Sequence, residues 1–164
     1  MKGKNFPKIN FSNFILPPVE LKILRRNDVL RVFDRLRKNY FCLTEEEFVR
    51  QVFVSWMIDA LGYPPSLMAN EIGIRLNDTI KRCDTVVFNP SGQPLMIIEY
   101  KSPNIILNQD VFNQIVSYNM ALKAKYLVVS NGNSNFCCRI HYETHSIEFL
   151  SEIPTYSQLK EEGL

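Results

Sequence analysis

The run "TEEEFVRQVFVSWMIDALGYPP" repeats apolar residues at helical spacing: Phe48, Val49, Val52, Phe53, Trp56, Met57, Ala60 and Leu61. Thr44, with Glu47 three residues on, has the pattern of a capping box, and Gly62 and Pro64-Pro65 end the helix. Val54 and Ile58 add a second apolar face, which predicts burial on more than one side. A second amphipathic helix is predicted from "NQDVFNQIVSYNMALKAK", with Asn108 as its N-cap. Three strand patterns lie between the helices, at 71–76, 81–88 and 94–101. Short turns join them, at Asn77-Asp78 and at Asn89-Pro90-Ser91-Gly92, as antiparallel neighbours require. The apolar run at 126–132 follows the second helix, so that helix is a crossover and the run should pair parallel with the strand before it. "FCCRIHY" and "SIEFL" predict a terminal hairpin, and "PTYSQLKEEGL" a short helix or a frayed tail. Upstream, residues 20–34 alternate around Asn27-Asp28 as a hairpin, and 38–43 adds a third short strand. Residues 1–19, with Pro7, Pro17 and Pro18, predict an extended arm that packs by its phenylalanines.

The sum is an α/β fold: a mixed β-sheet flanked by two main α-helices, with an N-terminal β-hairpin extension. Three segments follow: arm and hairpin over 1–43, core over 44–150, and tail over 151–164. With 164 residues and 46% hydrophobic content, the chain can bury one compact core. A net charge of +2 neither demands nor opposes a polyanionic partner. Cys42, Cys83, Cys137 and Cys138 include no C-x-x-C pair, which points to free thiols in a reducing compartment. No apolar run approaches the ~18 residues of a membrane span, and no secretory leader pattern opens the chain. A cytoplasmic protein with no membrane partner is expected.

Charge changes the picture at "PLMIIEYKSPN". Strand alternation puts Glu99 and Lys101 on one face and Tyr100 on the other. A buried ion pair of this kind is expensive unless compensated. Asp84 lies in the middle of the preceding strand, where a short antiparallel connection can bring it beside Glu99. Two neighbouring carboxylates repel, which raises a pKa or recruits a cation, and hard ions such as Mg²⁺ prefer carboxylate oxygen. Lys101 beside such an ion can orient a water or stabilise charge on a phosphate oxygen. The alternative from these residues alone is a structural salt-bridge cluster.

The order Asp-x14-Glu-x-Lys across two strands resembles the PD-(D/E)XK nuclease superfamily. "EEFVRQ" lies where those proteins carry an acidic helix residue. Gln114 and Tyr118 share a helix face and look like the Q-x-x-x-Y motif of one branch. The ordered set from residue 44 to 132 is similar to the N-terminal nuclease domain of the type I restriction enzyme R subunit, in its small stand-alone bacterial form. Cys83 stands where the superfamily has its proline. The resemblance implies a restriction-endonuclease-like fold and metal-dependent hydrolysis of DNA phosphodiesters, with Mg²⁺ or Mn²⁺ as cofactor. It implies that Asp84, Glu99, the Tyr100 carbonyl and Glu47 hold the metal, with Glu46 as second choice for the helix carboxylate. Lys101 would position the attacking water or steady the developing charge, and Gln114 and Tyr118 would hold the site or the nucleic-acid backbone. A catalytically inactive nucleic-acid-binding or protein-interaction module is the alternative. Motor or specificity subunits of a defence system are the implied partners, and a homodimer stays open.

Arg25, Arg26, Arg31 and Lys38 belong to a basic cluster on the N-terminal hairpin and are candidates for phosphate contact. A solvated strand face guarding an edge explains them equally well. Glu47 has the capping role as its competing explanation. His141 and His145 lack the spacing of a zinc site.

Overall fold

A computed structural model describes residues 13–76 and 78–164. Residues 1–12 of the predicted arm, and Asn77 of one predicted turn, lie outside the described residues. A small antiparallel sheet opens the fold, with β1 (Ile23–Arg26), β2 (Val29–Asp34) and β3 (Asn39–Cys42) in that order. Asn27 and Asp28 join β1 to β2 with φ of 50° and 60°, the two left-handed residues that a tight hairpin turn demands. Helix α1 (Glu45–Asp59) follows, and the Thr44 hydroxyl accepts from the Glu47 N–H at its start.

The main sheet runs β4 (Met68–Leu76), β5 (Thr79–Phe88), β6 (Pro94–Tyr100), β7 (Tyr126–Ser130), β8 (Asn135–His141) and β9 (Ser146–Leu150), in sequence order. Helix α2 (Gln109–Leu122) is the crossover between β6 and β7, the parallel pair; the other neighbours are antiparallel. Asn108 caps α2 by accepting from the Asp110 and Val111 N–H groups.

Strand alternation divides the core in two. Met96, Ile98 and Tyr100 pack with Val49, Val52, Phe53 and Met57 of α1, whereas Ile97, Leu127 and Val129 pack with Ile115 and Tyr118 of α2. The sheet is therefore a layer between the two helices. The C-terminal segment is docked rather than frayed: α3 (Tyr156–Glu161) has a full capping box on Thr155, Leu159 is buried, and the Tyr63 hydroxyl donates to the Pro154 carbonyl. Phe14 packs on Phe48 at 5.9 Å, and the Ile15 N–H donates to the Gly132 carbonyl.

A buried polar chain ties the N-terminal sheet to the main one. Asp34, fully buried, accepts from the Leu36 and Arg37 backbone N–H groups, from Arg37 Nε and from Asn70 Nδ2. The Thr85 hydroxyl donates to Asn70 Oδ1, and Arg37 Nη2 donates to Glu47 Oε1. Asp34 thus joins β2 to the strand that carries Asp84 and, through Arg37, to α1.

The four cysteines are unpaired: Cys42 is exposed, while Cys83, Cys137 and Cys138 are buried. Burial pushes the Cys137 thiol up to about 12. Among the described residues, no helix is long and apolar enough to cross a membrane.

Candidate metal and catalytic site

The pairing of β5 with β6 runs Val87–Met96, Val86–Ile97, Thr85–Ile98, so one further step puts Asp84 opposite Glu99. The β4–β5 register, Asn70–Thr85 then Ile72–Cys83, puts Glu71 opposite Asp84 on the other side. Three acidic residues therefore stand in a row across three strands. Cys83 and Val86 both pack in the α2-side core although three residues apart, so the alternation of β5 breaks at Asp84-Thr85. Glu71, at φ 60°, is the matching irregularity in β4.

The break lets Asp84 reach the α1 side of the sheet. Its Oδ1 accepts from Arg50 Nη2 at 2.7 Å and its Oδ2 from the Tyr100 N–H at 2.8 Å. Glu99 stays on the α2 side, where its Oε1 accepts from Lys101 Nζ at 2.9 Å and from Gln114 Nε2 at 2.8 Å. Gln114 Oε1 accepts from Lys101 Nζ, and its amide donates to the Tyr118 hydroxyl. Asp84, Glu99, Lys101, Gln114 and Tyr118 thus lie together at the carboxyl end of β6, where open α/β sheets offer their binding crevice. The Tyr100 side chain faces away and packs against Phe53.

Glu99 is 4% exposed, and its Oε2 is buried without a hydrogen-bond partner. Burial first, then the Asp84 charge, pushes its carboxyl up to about 7, against the pull of Lys101. Burial also raises Asp84, partly offset by Arg50 and the Tyr100 N–H. For Lys101, burial works against the charge, but Glu99 outweighs it and lifts the ammonium above its ordinary value.

The three consecutive glutamates of α1 take separate places. Glu45 accepts from Ser102 and Asn104, pinning the loop after Lys101. Glu47 is buried, and its oxygens are occupied by Arg37, Gln51 and Arg50. Glu46 is the one whose charge is felt by Glu99 and Lys101; burial first and then Asp84 raise its own carboxyl. Glu46, the second choice of the sequence reading, thus acts on the pair through its charge and lies 3.9 Å from Arg50, while Glu47, the first choice, is engaged by arginines. Among the described residues, no group of three or more His, Cys, Asp or Glu side chains is arranged to hold a metal by itself. Any cation held here would have to complete its shell with carbonyl, water or phosphate oxygen.

The basic candidates do not form one surface. Cross-strand pairing puts Arg26 and Arg31 on the outer face of the small sheet and Arg25 on the opposite one. Lys38 sits just before β3 with φ 53°. Their neighbours Arg35 and Arg37 are taken by Asp59 and Asp34. His141 pairs with Glu148. Two site residues went without a role in the sequence reading. Arg50 lies within the quoted helix run with no signal that marks it as central, and Glu71 is located only once the strand register is known.

A family profile described as type I restriction enzyme R protein N terminus (HSDR_N) matches residues 45–154. Among solved structures, a fragment described as an HsdR subunit of a type I restriction enzyme from Vibrio vulnificus matches with a TM-score of 0.50 and 18% identity, over 73% of this chain and 25% of that one. At that identity the likeness concerns the fold, and the chain spans a quarter of its structural relative. No curated protein matches the chain.

Proposed function

The chain belongs to the family of type I restriction enzyme R protein N termini, and from that premise we propose a divalent-metal-dependent nuclease that hydrolyses DNA phosphodiester bonds. The observation that carries this reading is Glu99 Oε2, a buried carboxylate oxygen with no protein partner, on a residue directly opposite Asp84. An unpartnered anionic oxygen in the interior is costly unless a cation or water takes it. Mg²⁺ or Mn²⁺ would suit an oxygen set of Glu99, Asp84 and the Tyr100 carbonyl completed by water or phosphate oxygen, with Glu46 acting through water. Such an ion supplies Lewis-acid polarisation of the phosphate and acidification of a bound water.

The protein's own groups do the rest. Lys101, fixed between Glu99 Oε1 and Gln114 Oε1, holds the attacking water or the phosphate oxygen on which negative charge grows. Gln114 keeps Glu99 and Lys101 in mutual register, and Tyr118 fixes the orientation of the Gln114 amide. Water gives up a proton to solvent as its oxygen bonds to phosphorus, the ester P–O bond breaks, and the leaving oxygen takes up a proton from solvent.

Motor or specificity subunits of a restriction system are proposed as the setting, because the matching family is that of type I restriction enzyme R protein N termini. One observation favours a second reading, a nucleic-acid-binding module without catalysis: Arg50 already neutralises Asp84. Incubating plasmid and linear DNA with the protein and Mg²⁺ or Mn²⁺, beside Asp84→Ala and Lys101→Ala, separates the two. Metal-dependent cutting lost in both variants supports the nuclease. Binding without cutting supports the second reading, and neither binding nor cutting sinks both.

A further inference from the structure

Arg50 and Glu71 are the two members of the cluster that the hydrolytic scheme leaves without a task. Arg50 is 4% exposed, and its guanidinium lies at the centre of the carboxylates. Nη2 is 2.7 Å from Asp84 Oδ1 and 2.8 Å from Glu71 Oε1, and Nη1 is 2.6 Å from Glu47 Oε2. The Tyr100 ring, 5.8 Å from the guanidinium carbon, is a further neighbour. Glu71 reaches this centre from a left-handed backbone at φ 60°, in mid-strand, where the ladder skips a pair. A side chain beyond glycine resists that conformation, so it persists only where its surroundings over-determine it. What the distortion achieves is a second carboxylate at ion-pair distance from the same nitrogen that grips Asp84. Independently, the orphan Glu99 Oε2 points to a cation on the other side of Asp84.

We propose that Arg50 is the resident counter-ion of the metal site, yielding Asp84 Oδ1 when the divalent cation arrives, and that Glu71 is the positioning residue that retains the guanidinium during the exchange. This rests on the metal reading given under Proposed function. The fork geometry makes the exchange feasible: with Asp84 turned to the metal, Nη2 keeps Glu71 and Nη1 keeps Glu47, so no buried charge is left unpaired. Without Glu71, Nη2 would have Asp84 at 2.7 Å and Glu46 no nearer than 3.9 Å, and the cation would have to displace its one short contact.

The test is a double-mutant cycle on Mn²⁺ affinity, read by titration calorimetry without DNA, using the full chain. Glu71→Gln weakens Mn²⁺ binding about tenfold in the parent, but less than about twofold when Arg50 is also replaced by Gln, because the competitor is gone. Arg50→Gln alone tightens Mn²⁺ and lowers the Tm measured in EDTA. Should Arg50→Gln not fold, Arg50→Met supplies the background, since it also removes the competing charge while keeping the aliphatic stem. Equal losses from Glu71→Gln in both backgrounds, or no loss in the parent, overturn the proposal while leaving the metal site standing. A parent that takes up no Mn²⁺ at millimolar concentration overturns the metal reading and this inference together.

Discussion

Asp84 and Glu99 stand opposite each other on β5 and β6, yet their carboxylates are held from opposite layers of the fold. Arg50 of α1 grips the first, and Lys101 with Gln114 of α2 grips the second. The pair is thus a junction between the two halves of the core, and its charge balance sets how the protein responds to pH and to metal.

Glu99 titrates at about 7 in the folded chain, above the ordinary 4.5. Below 4.5 it is protonated in both states. Between 4.5 and 7 the folded state binds more protons than the unfolded one, so this contribution to stability is lost as pH rises. The loss is on the order of 3 kcal/mol across the window in metal-free protein. Glu99→Gln should flatten that profile, be at least as stable as the parent at pH 8 in EDTA, and lose any Mg²⁺-induced rise in Tm. Urea melts in EDTA from pH 4 to 8 check this; a variant that keeps the parent's slope contradicts it.

Gln114 links Glu99 to Lys101, whereas Tyr118 touches the cluster only through Gln114. If the nuclease reading holds, Gln114→Leu lowers kcat roughly 10- to 100-fold, and Tyr118→Phe by no more than about threefold. Steady-state cleavage with both variants decides, and equal losses would mean that Tyr118 contacts the nucleic acid itself.

Asp34 accepts four hydrogen bonds, three from Leu36 and Arg37 of its own turn and one, from Asn70 Nδ2, that ties the small sheet to the core. Burial raises its carboxyl, but Arg37 and Asn70 outweigh that and keep it below the ordinary 3.8. Its contribution is therefore present above pH 3.8 and lost as pH falls below that. Asp34→Ala leaves Arg37 Nε and Asn70 Nδ2 without an acceptor, although Arg37 keeps Glu47 and Asn70 keeps Thr85, and should destabilise by about 2–4 kcal/mol at neutral pH. A loss under about 1 kcal/mol in urea denaturation would mean that the extension is merely appended.

Gly132 has φ 82°, and a Cβ added there would lie 1.9 Å from the Phe14 ring. Gly92 has φ 78° with open space around it. Gly132→Ala should therefore destabilise by about 2–4 kcal/mol, combining backbone strain with a clash, and Gly92→Ala by about 1 kcal/mol from strain alone. Equal losses would mean that Phe14 moves aside freely.

The elements were legible because each obeys a local period. Phe48, Val52, Trp56 and their neighbours recur at helical spacing, and the strands from 94 and 126 are continuous apolar runs that only a two-faced sheet can bury. The α2 crossover between them set the parallel pairing by chain geometry alone. Glu99 and Lys101 were legible as a site because strand alternation puts them on one face, and opposite charges in an apolar run demand partners.

What tertiary structure alone decided is the company each charge keeps. No sequence period indicates that Glu47 would be taken by Arg37 from the turn between β2 and β3, or that Glu46 would feel the Asp84 charge. Glu71 enters the site through a register between strands and a left-handed backbone, and neither is encoded in its immediate neighbours. Local sequence sets dihedral preferences and buried faces, which act over a few residues. Coulomb interactions and hydrogen bonds depend on distances between segments, and those exist only once the sheet has closed between its helices.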